Sequence, residues 1–252
     1  FADRCERYFA RQFSKVNDGV FVIVGDLEEE TLKKLLCRTL GDFRTQQRIA
    51  HRPAVSKPVI SGNSNHISEA VPGTVGGGEL GASLALSSDI PFTLPNYMSF
   101  KVACSAVSKK LTGVLADYGA FAVVSGSMEF FPAERMTIYI NIRPCYADGL
   151  PEGVDPSDPV TLPEAIRKFL DGLSSMAPDA ADVNGWKAAL LNDMDDHMAR
   201  TETVVDNVLL RYSGGKDVAA GYKNAVSSVS VDSVRNILSS LSSGGRVEYV
   251  IL

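Results

Sequence analysis

Glu134-Arg-Met-Thr-Ile-Tyr-Ile-Asn-Ile-Arg143 alternates in character: Met136, Ile138, Ile140 and Ile142 fall on one side of an extended chain, and Thr137, Tyr139, Asn141 and Arg143 fall on the other. Successive side chains of a strand point to opposite faces, so one face of this segment is buried and the other wet. That is the pattern of an antiparallel sheet covered on one side, not of a parallel sheet covered on both. Just before it, Ala120 to Glu129 reads as a second strand, joined to the first by a turn containing Pro132.

Working upstream, Phe100, Ala103, Val107, Leu111, Val114 and Leu115 recur at helical spacing and form one apolar stripe. The spacing predicts a long helix from near Pro95, where a missing amide is no loss, to about Asp117 before Gly119. Ala82 to Ser87 alternates well enough for a half-buried strand. Earlier still, Val20-Phe-Val-Ile-Val24 closed by Gly25-Asp26 reads as a buried strand ending in a turn. Leu27, Leu32, Leu35, Leu36 and Leu40 then mark an amphipathic helix stopped by Gly41. Between these blocks, Pro53, Pro58, Pro72 and Gly76-Gly77-Gly78 give the composition of a connector.

Downstream of the alternating segment, Cys145 to Pro159 is loop-like, and Thr161-Leu-Pro-Glu164 supplies a capping hydroxyl, a proline at the first helical position and a reciprocal glutamate. Helical periodicity continues through Val183 to Met198, Val204 to Tyr212, Val218 to Val226 and Val231 to Leu241. Gly244-Gly245 ends it, and Arg246 to Leu252 makes a final strand. No βαβαβ run occurs, which argues against a doubly wound parallel sheet. The expected fold class is α+β, a mixed or antiparallel sheet with helices packed on one face. One domain is expected over residues 1–252, with an opening strand and helix in 1–43, a connector in 44–79, and the main sheet and helices in 80–252.

Composition excludes several functions. At 252 residues, 45% hydrophobic and 22% charged, the chain can bury a sizeable core. A net charge of -5 without clustered Lys and Arg offers no nucleic-acid footprint. No run approaches the roughly 18 apolar residues of a membrane span, and no basic start followed by an apolar run marks a signal peptide. Because it starts at Phe1 and not at Met, we expect a piece of a longer protein, with any export signal upstream. Cys5, Cys37, Cys104 and Cys145 form no C-x-x-C pair, and their disulfide status is open.

Zinc hydrolysis needs about three protein ligands and an activated water. The histidines are His51, His66 and His197, and His66-Ile-Ser-Glu69-Ala70 lacks the second histidine of an inverted zinc motif. Asp193, Asp195, Asp196, His197 and Glu202 crowd one region, with Asp193 and His197 four apart on a helix face, but a solvated face explains them. The glycine run lacks the G-K-[ST] ending of a phosphate loop, and Ser125-Gly126-Ser127 lies in a strand with no nucleophile elbow. Asp155 and Asp158 read as loop or capping residues.

Three stretches carry a likeness to a known family. They are Phe21-Val-Ile-Val-Gly25-Asp26-Leu27 with its helix to Gly41-Asp42-Phe43, the long helix ending at Tyr118-Gly119 with the following hairpin, and the tail from Trp186-Lys187 through Arg200-Thr201-Glu202 and Val229 to Val234 to the closing strand. From about Arg7 to Leu252 the chain resembles the C-terminal, non-catalytic domain of pitrilysin/insulinase-type zinc metallopeptidases, nearest to bacterial zinc proteases. The resemblance implies a mitochondrial-processing-peptidase-like metallohydrolase domain that closes a peptide chamber against an upstream catalytic domain or a partner subunit. It implies no cofactor in this chain and zinc in the catalytic half of the parent. By analogy, the compartment would be a bacterial periplasm or cell envelope.

Family members hold the substrate backbone with an Arg and a Tyr near the end of the long helix. The matching stretch is Leu115-Ala-Asp-Tyr-Gly-Ala-Phe121, where Ala116 replaces the Arg and Phe121 replaces the Tyr, with Tyr118 between them. A guanidinium donates to a peptide carbonyl and a methyl cannot. The resemblance therefore implies a substrate-binding region at Ala116, Tyr118 and Phe121, and also admits a degenerate family member that serves as a structural or interaction module.

Overall fold

The computed structural model describes residues 2–13, 21–41, 66–71, 81–116, 120–130, 133–143 and 164–251. In chain order the elements are α1 (Ala2–Phe13), α2 (Glu29–Leu40), β1 (His66–Val71), β2 (Gly81–Ser88), α3 (Leu94–Leu115), β3 (Phe121–Glu129) and β4 (Arg135–Arg143), then α4 (Glu164–Asp171), α5 (Ala180–Met198), α6 (Thr201–Gly214), α7 (Tyr222–Ser228), α8 (Val231–Ser242) and β5 (Gly245–Ile251). They group into two compact units, one formed by Phe1–Val55 with His197–Asp217 and the other by Ser56–Asp196 with Val218–Leu252.

The larger unit is built on a five-stranded sheet of order β1-β5-β2-β4-β3, in which β1 runs parallel to β5 and every other pair is antiparallel. Register carries the alternation of β4 across the sheet. Leu84 sits opposite Ile140 and Leu86 opposite Ile138, while Val124 faces Ile140 from the other side. Ala82, Leu84, Leu86, Met136, Ile138, Ile140 and Ile142 are all buried. Against that face lies α3, whose Met98, Phe100, Val102, Ala103, Val107, Leu111 and Leu115 are buried along one stripe, together with Val234, Leu238 and Leu241 of α8. The fold class is α+β, as expected.

Capping fixes where the helices start. The Thr93 hydroxyl accepts from the Asn96 amide at 3.2 Å, and Pro95 follows in the first turn of α3. Ser230 and Ser233 satisfy each other's amides at the start of α8. The ammonium of Lys187 donates to the Ser227 and Val229 carbonyls at 2.7 and 2.9 Å, which satisfies the end of α7 from α5. Gly215, at a φ of 65°, stops α6, and Gly221, at 81°, precedes α7.

Three sequence expectations need correction. Phe21 to Val24 pairs with no strand among the described residues, and Phe21, Ile23 and Val24 are exposed. β-branched and aromatic residues favour a strand, whereas strand pairing is decided by tertiary neighbours; Val20 lies outside the described residues. The connector contains a strand, since His66–Val71 pairs in parallel with β5, and a pairing this distant along the chain leaves no local trace in His-Ile-Ser-Glu-Ala-Val. α1 was not anticipated. The helix expected from Val218 begins at Tyr222, because the left-handed Gly221 sits immediately before it. The cap at Thr161 to Pro163 and the loop from Cys145 lie outside the described residues, and α4 starts at Glu164.

Candidate functional site

The residues singled out for substrate binding lie where α3 hands over to β3. α3 ends at Leu115, and Ala116 is its exposed cap, with its amide donating to the Thr112 carbonyl. The Ala120 amide reaches back to the Leu115 carbonyl at 3.4 Å, and β3 begins at the next residue. Phe121 is the first residue of that strand and is 60% exposed. Tyr118 lies outside the described residues. The structure thus puts Ala116 and Phe121 at one corner, where neither a methyl nor a phenyl ring can hydrogen-bond a peptide backbone.

Register identifies neighbours that sequence reasoning missed. β3 is the edge of the sheet, and Phe121, Val123 and Ser125 stand opposite Arg143, Asn141 and Tyr139 of β4 on the face away from α3. On that face Val123 is 57% and Tyr139 39% exposed, so three large apolar or aromatic groups share one open side of the sheet. The Ser83 hydroxyl donates to Asn141 Oδ1 at 2.7 Å. Arg143 lies beside Gly81, whose missing Cβ would stand 3.5 Å from its Nε. A tyrosine and an arginine are therefore present here, on β4 rather than at the end of α3. The alternation of Glu134–Arg143 was the available clue, because it assigned Tyr139 and Arg143 to the wet face.

Behind this face, Gly126 allows β3 to approach α3. A Cβ at Gly126 would lie 2.7 Å from Cys104 Sγ and 2.8 Å from Phe100 Cε1. The Cys104 residue is only half-buried, but its sulfur points into this contact, and loss of hydration pushes the thiol from its ordinary 9.0 up to about 12. Cys5 and Cys37 are exposed. At about pH 8, N-ethylmaleimide should therefore modify Cys5 and Cys37 and leave Cys104 untouched, as read by peptide mass spectrometry. Because the native state holds the Cys104 proton more tightly than the unfolded chain does, its contribution to stability is intact below the ordinary value and is lost as pH climbs toward about 12.

The acidic region on α5 does different work. The Asp195 carboxylate accepts from the Tyr222 hydroxyl and from the Lys223 ammonium at 3.1 Å, joining α5 to α7. The Tyr222 hydrogen bond, then that of Lys223, holds the carboxyl below its usual range. Asp195 is thus committed to a structural contact, and among the described residues no group of three His, Cys, Asp or Glu could hold a metal ion. No described helix is long and apolar enough to cross a membrane.

This architecture recurs in solved structures. The chain is similar to the ferredoxin protease FusC, a structure that contains Arabidopsis ferredoxin, with 16% identity and a TM-score of 0.62 over 91% of this chain and 24% of that one. It is similar to the periplasmic protease PqqL from Escherichia coli, with 16% identity and a TM-score of 0.58 over 91% of this chain and 24% of the other. An inactive domain of a peptidase M16 from Pseudomonas fluorescens matches at 12% identity and a TM-score of 0.57 over 90% of this chain and 52% of that one. No protein-family model and no curated protein matches the sequence. The fold is that of a pitrilysin/insulinase-type peptidase domain. The chain spans about a quarter of the first two proteases.

Proposed function

We propose that this chain is a non-catalytic domain of a zinc metalloendopeptidase, closing a peptide-binding chamber against a catalytic domain carried on another part of the parent protein or on a partner subunit. Zinc would belong to that catalytic domain. The observation that carries the reading is the open face of the β3–β4 edge in a peptidase fold. There Phe121, Val123 and Tyr139 present apolar surface beside a strand whose outer edge has no partner among the described residues. An extended peptide has complementary needs, backbone groups to pair and alternate side chains to bury.

Within this reading Ala116, Tyr118 and Phe121 remain the substrate-facing corner. Arg143, on the adjoining strand, supplies the guanidinium that Ala116 does not. The test is reconstitution. Alone, the chain is expected to leave a fluorogenic peptide library intact, and mixing it with the parent's remaining domains should give hydrolysis that a chelator stops. Chelator-sensitive cleavage by the chain alone would refute the proposal.

Ala116 and Phe121 favour a second reading, because neither has a donor where the family places an arginine and a tyrosine. In that case the domain is a degenerate interaction module. The reconstituted complex would form without gaining peptidase activity.

A further inference from the structure

One concavity is lined by helix and loop residues and by no strand residue. It has a volume of about 340 Å³ and runs between the C-terminal half of α3 and the start of α5. One wall is the helical stripe Ala106, Lys109, Lys110 and Gly113; the other is Trp186 with Met176 and Pro178. That volume is at the lower end of the range for small-molecule sites.

The charged groups at its rim are not equivalent. Asp182 takes the Lys109 ammonium through both oxygens at 2.6 Å, and Asp179 Oδ1 accepts the Ala181 amide at 3.0 Å as the cap of α5. Both carboxylates and Lys109 are therefore engaged. Lys110 forms no ion pair among the described residues and is exposed at the rim.

Gly113 supplies an independent observation. It lies in α3, its φ is not positive, and a Cβ built there would meet nothing within 4 Å. Glycine in a helix is disfavoured against alanine, so neither backbone conformation nor packing calls for it here. What it does is leave the concavity open opposite Trp186.

The geometry points to a binding site for a small aromatic monocarboxylate, its ring against Trp186, Met176 and Pro178 and its carboxylate on Lys110. This site is separate from the β3 edge and stands or falls independently of the chamber reading. Trp186 is the only tryptophan in the chain, so its emission reports occupancy directly.

The experiment titrates the full chain with 3-phenylpropionate while recording Trp186 fluorescence. A saturable change with half-saturation near about 1 mM is expected, in keeping with a ligand of about a dozen heavy atoms. Gly113→Leu, which fills the space with a better helix former, should abolish the change while circular dichroism keeps its helical signal. Lys110→Gln should weaken the carboxylate about threefold to fivefold and leave binding of the neutral 3-phenylpropanamide unchanged. A linear, non-saturating response, wild-type binding by Gly113→Leu, or equal affinity for acid and amide would each overturn the assignment.

Discussion

Ile140→Ala lowers the stability of the chain by about 3 kcal/mol, whereas Tyr139→Ala, one residue away, costs less than about 1 kcal/mol. The contrast follows from strand parity. Ile140 is fully buried between Leu84 and Val124 in register, under α3, so truncation removes apolar contacts and leaves a cavity that a sheet held on both sides cannot collapse. Tyr139 points to the other face and is 39% exposed, so most of what it loses is replaced by water. Urea unfolding followed by circular dichroism reads both, and for a chain of this size the first substitution should lower the melting midpoint by about 8 °C. Equal costs would mean that the sheet is covered on both faces. The same pair tests function. Tyr139→Ala keeps the fold, so on the chamber reading it should weaken peptide turnover in the reconstituted protease without unfolding the domain.

What the sequence disclosed and what it hid divide along the same line. The β3–β4 hairpin, α2, α3, α5 and α8 announce themselves because each is decided locally, by alternation in the hairpin, by a Leu stripe in α2, by Pro95 and an apolar stripe in α3, and by helical periodicity in α5 and α8. β1 was invisible because its hydrogen bonds come from β5 at the far end of the chain. Phe21–Val24 misled for the converse reason, since β-branched residues mark a strand only when a partner is in place. The family likeness picked out Ala116 and Phe121, and the structure puts both at the corner between α3 and β3. Its neighbours Val123, Tyr139 and Arg143 became visible only once register set β3 against β4. The acidic stretch on α5 shows the limit of composition: it reads as a solvated face, whereas Asp195 accepts from Tyr222 and Lys223, well downstream.

Gly244→Ala should be among the most damaging single-methyl additions in this chain, costing about 3 kcal/mol, the upper end of what overpacking produces. A Cβ at this position would lie within van der Waals overlap of the Ser87 backbone carbonyl and 3.1 Å from Ser88 Cβ. Neither is the flexible end of a long side chain, so relief must come from the backbone. Gly244 sits between the end of α8 and the start of β5, and its amide donates to the Leu241 carbonyl at 3.2 Å, which leaves little freedom to swing away. The next residue, Gly245, is the first partner in the β2–β5 ladder, opposite Ser87. Moving the methyl clear therefore pulls β5 off β2 where their pairing begins. Among the described residues β1 joins the sheet only through β5, so both strands should loosen together. Hydrogen exchange is the deciding measurement: amides of β1 and β5 should lose protection in the variant while those of β3 and β4 keep most of theirs. Gly113→Ala is the control, because its methyl enters open space in a helix and should be neutral or stabilising by about 0.5 kcal/mol. If both glycines tolerate alanine equally, the close approach of β5 to β2 at Ser87 is wrong.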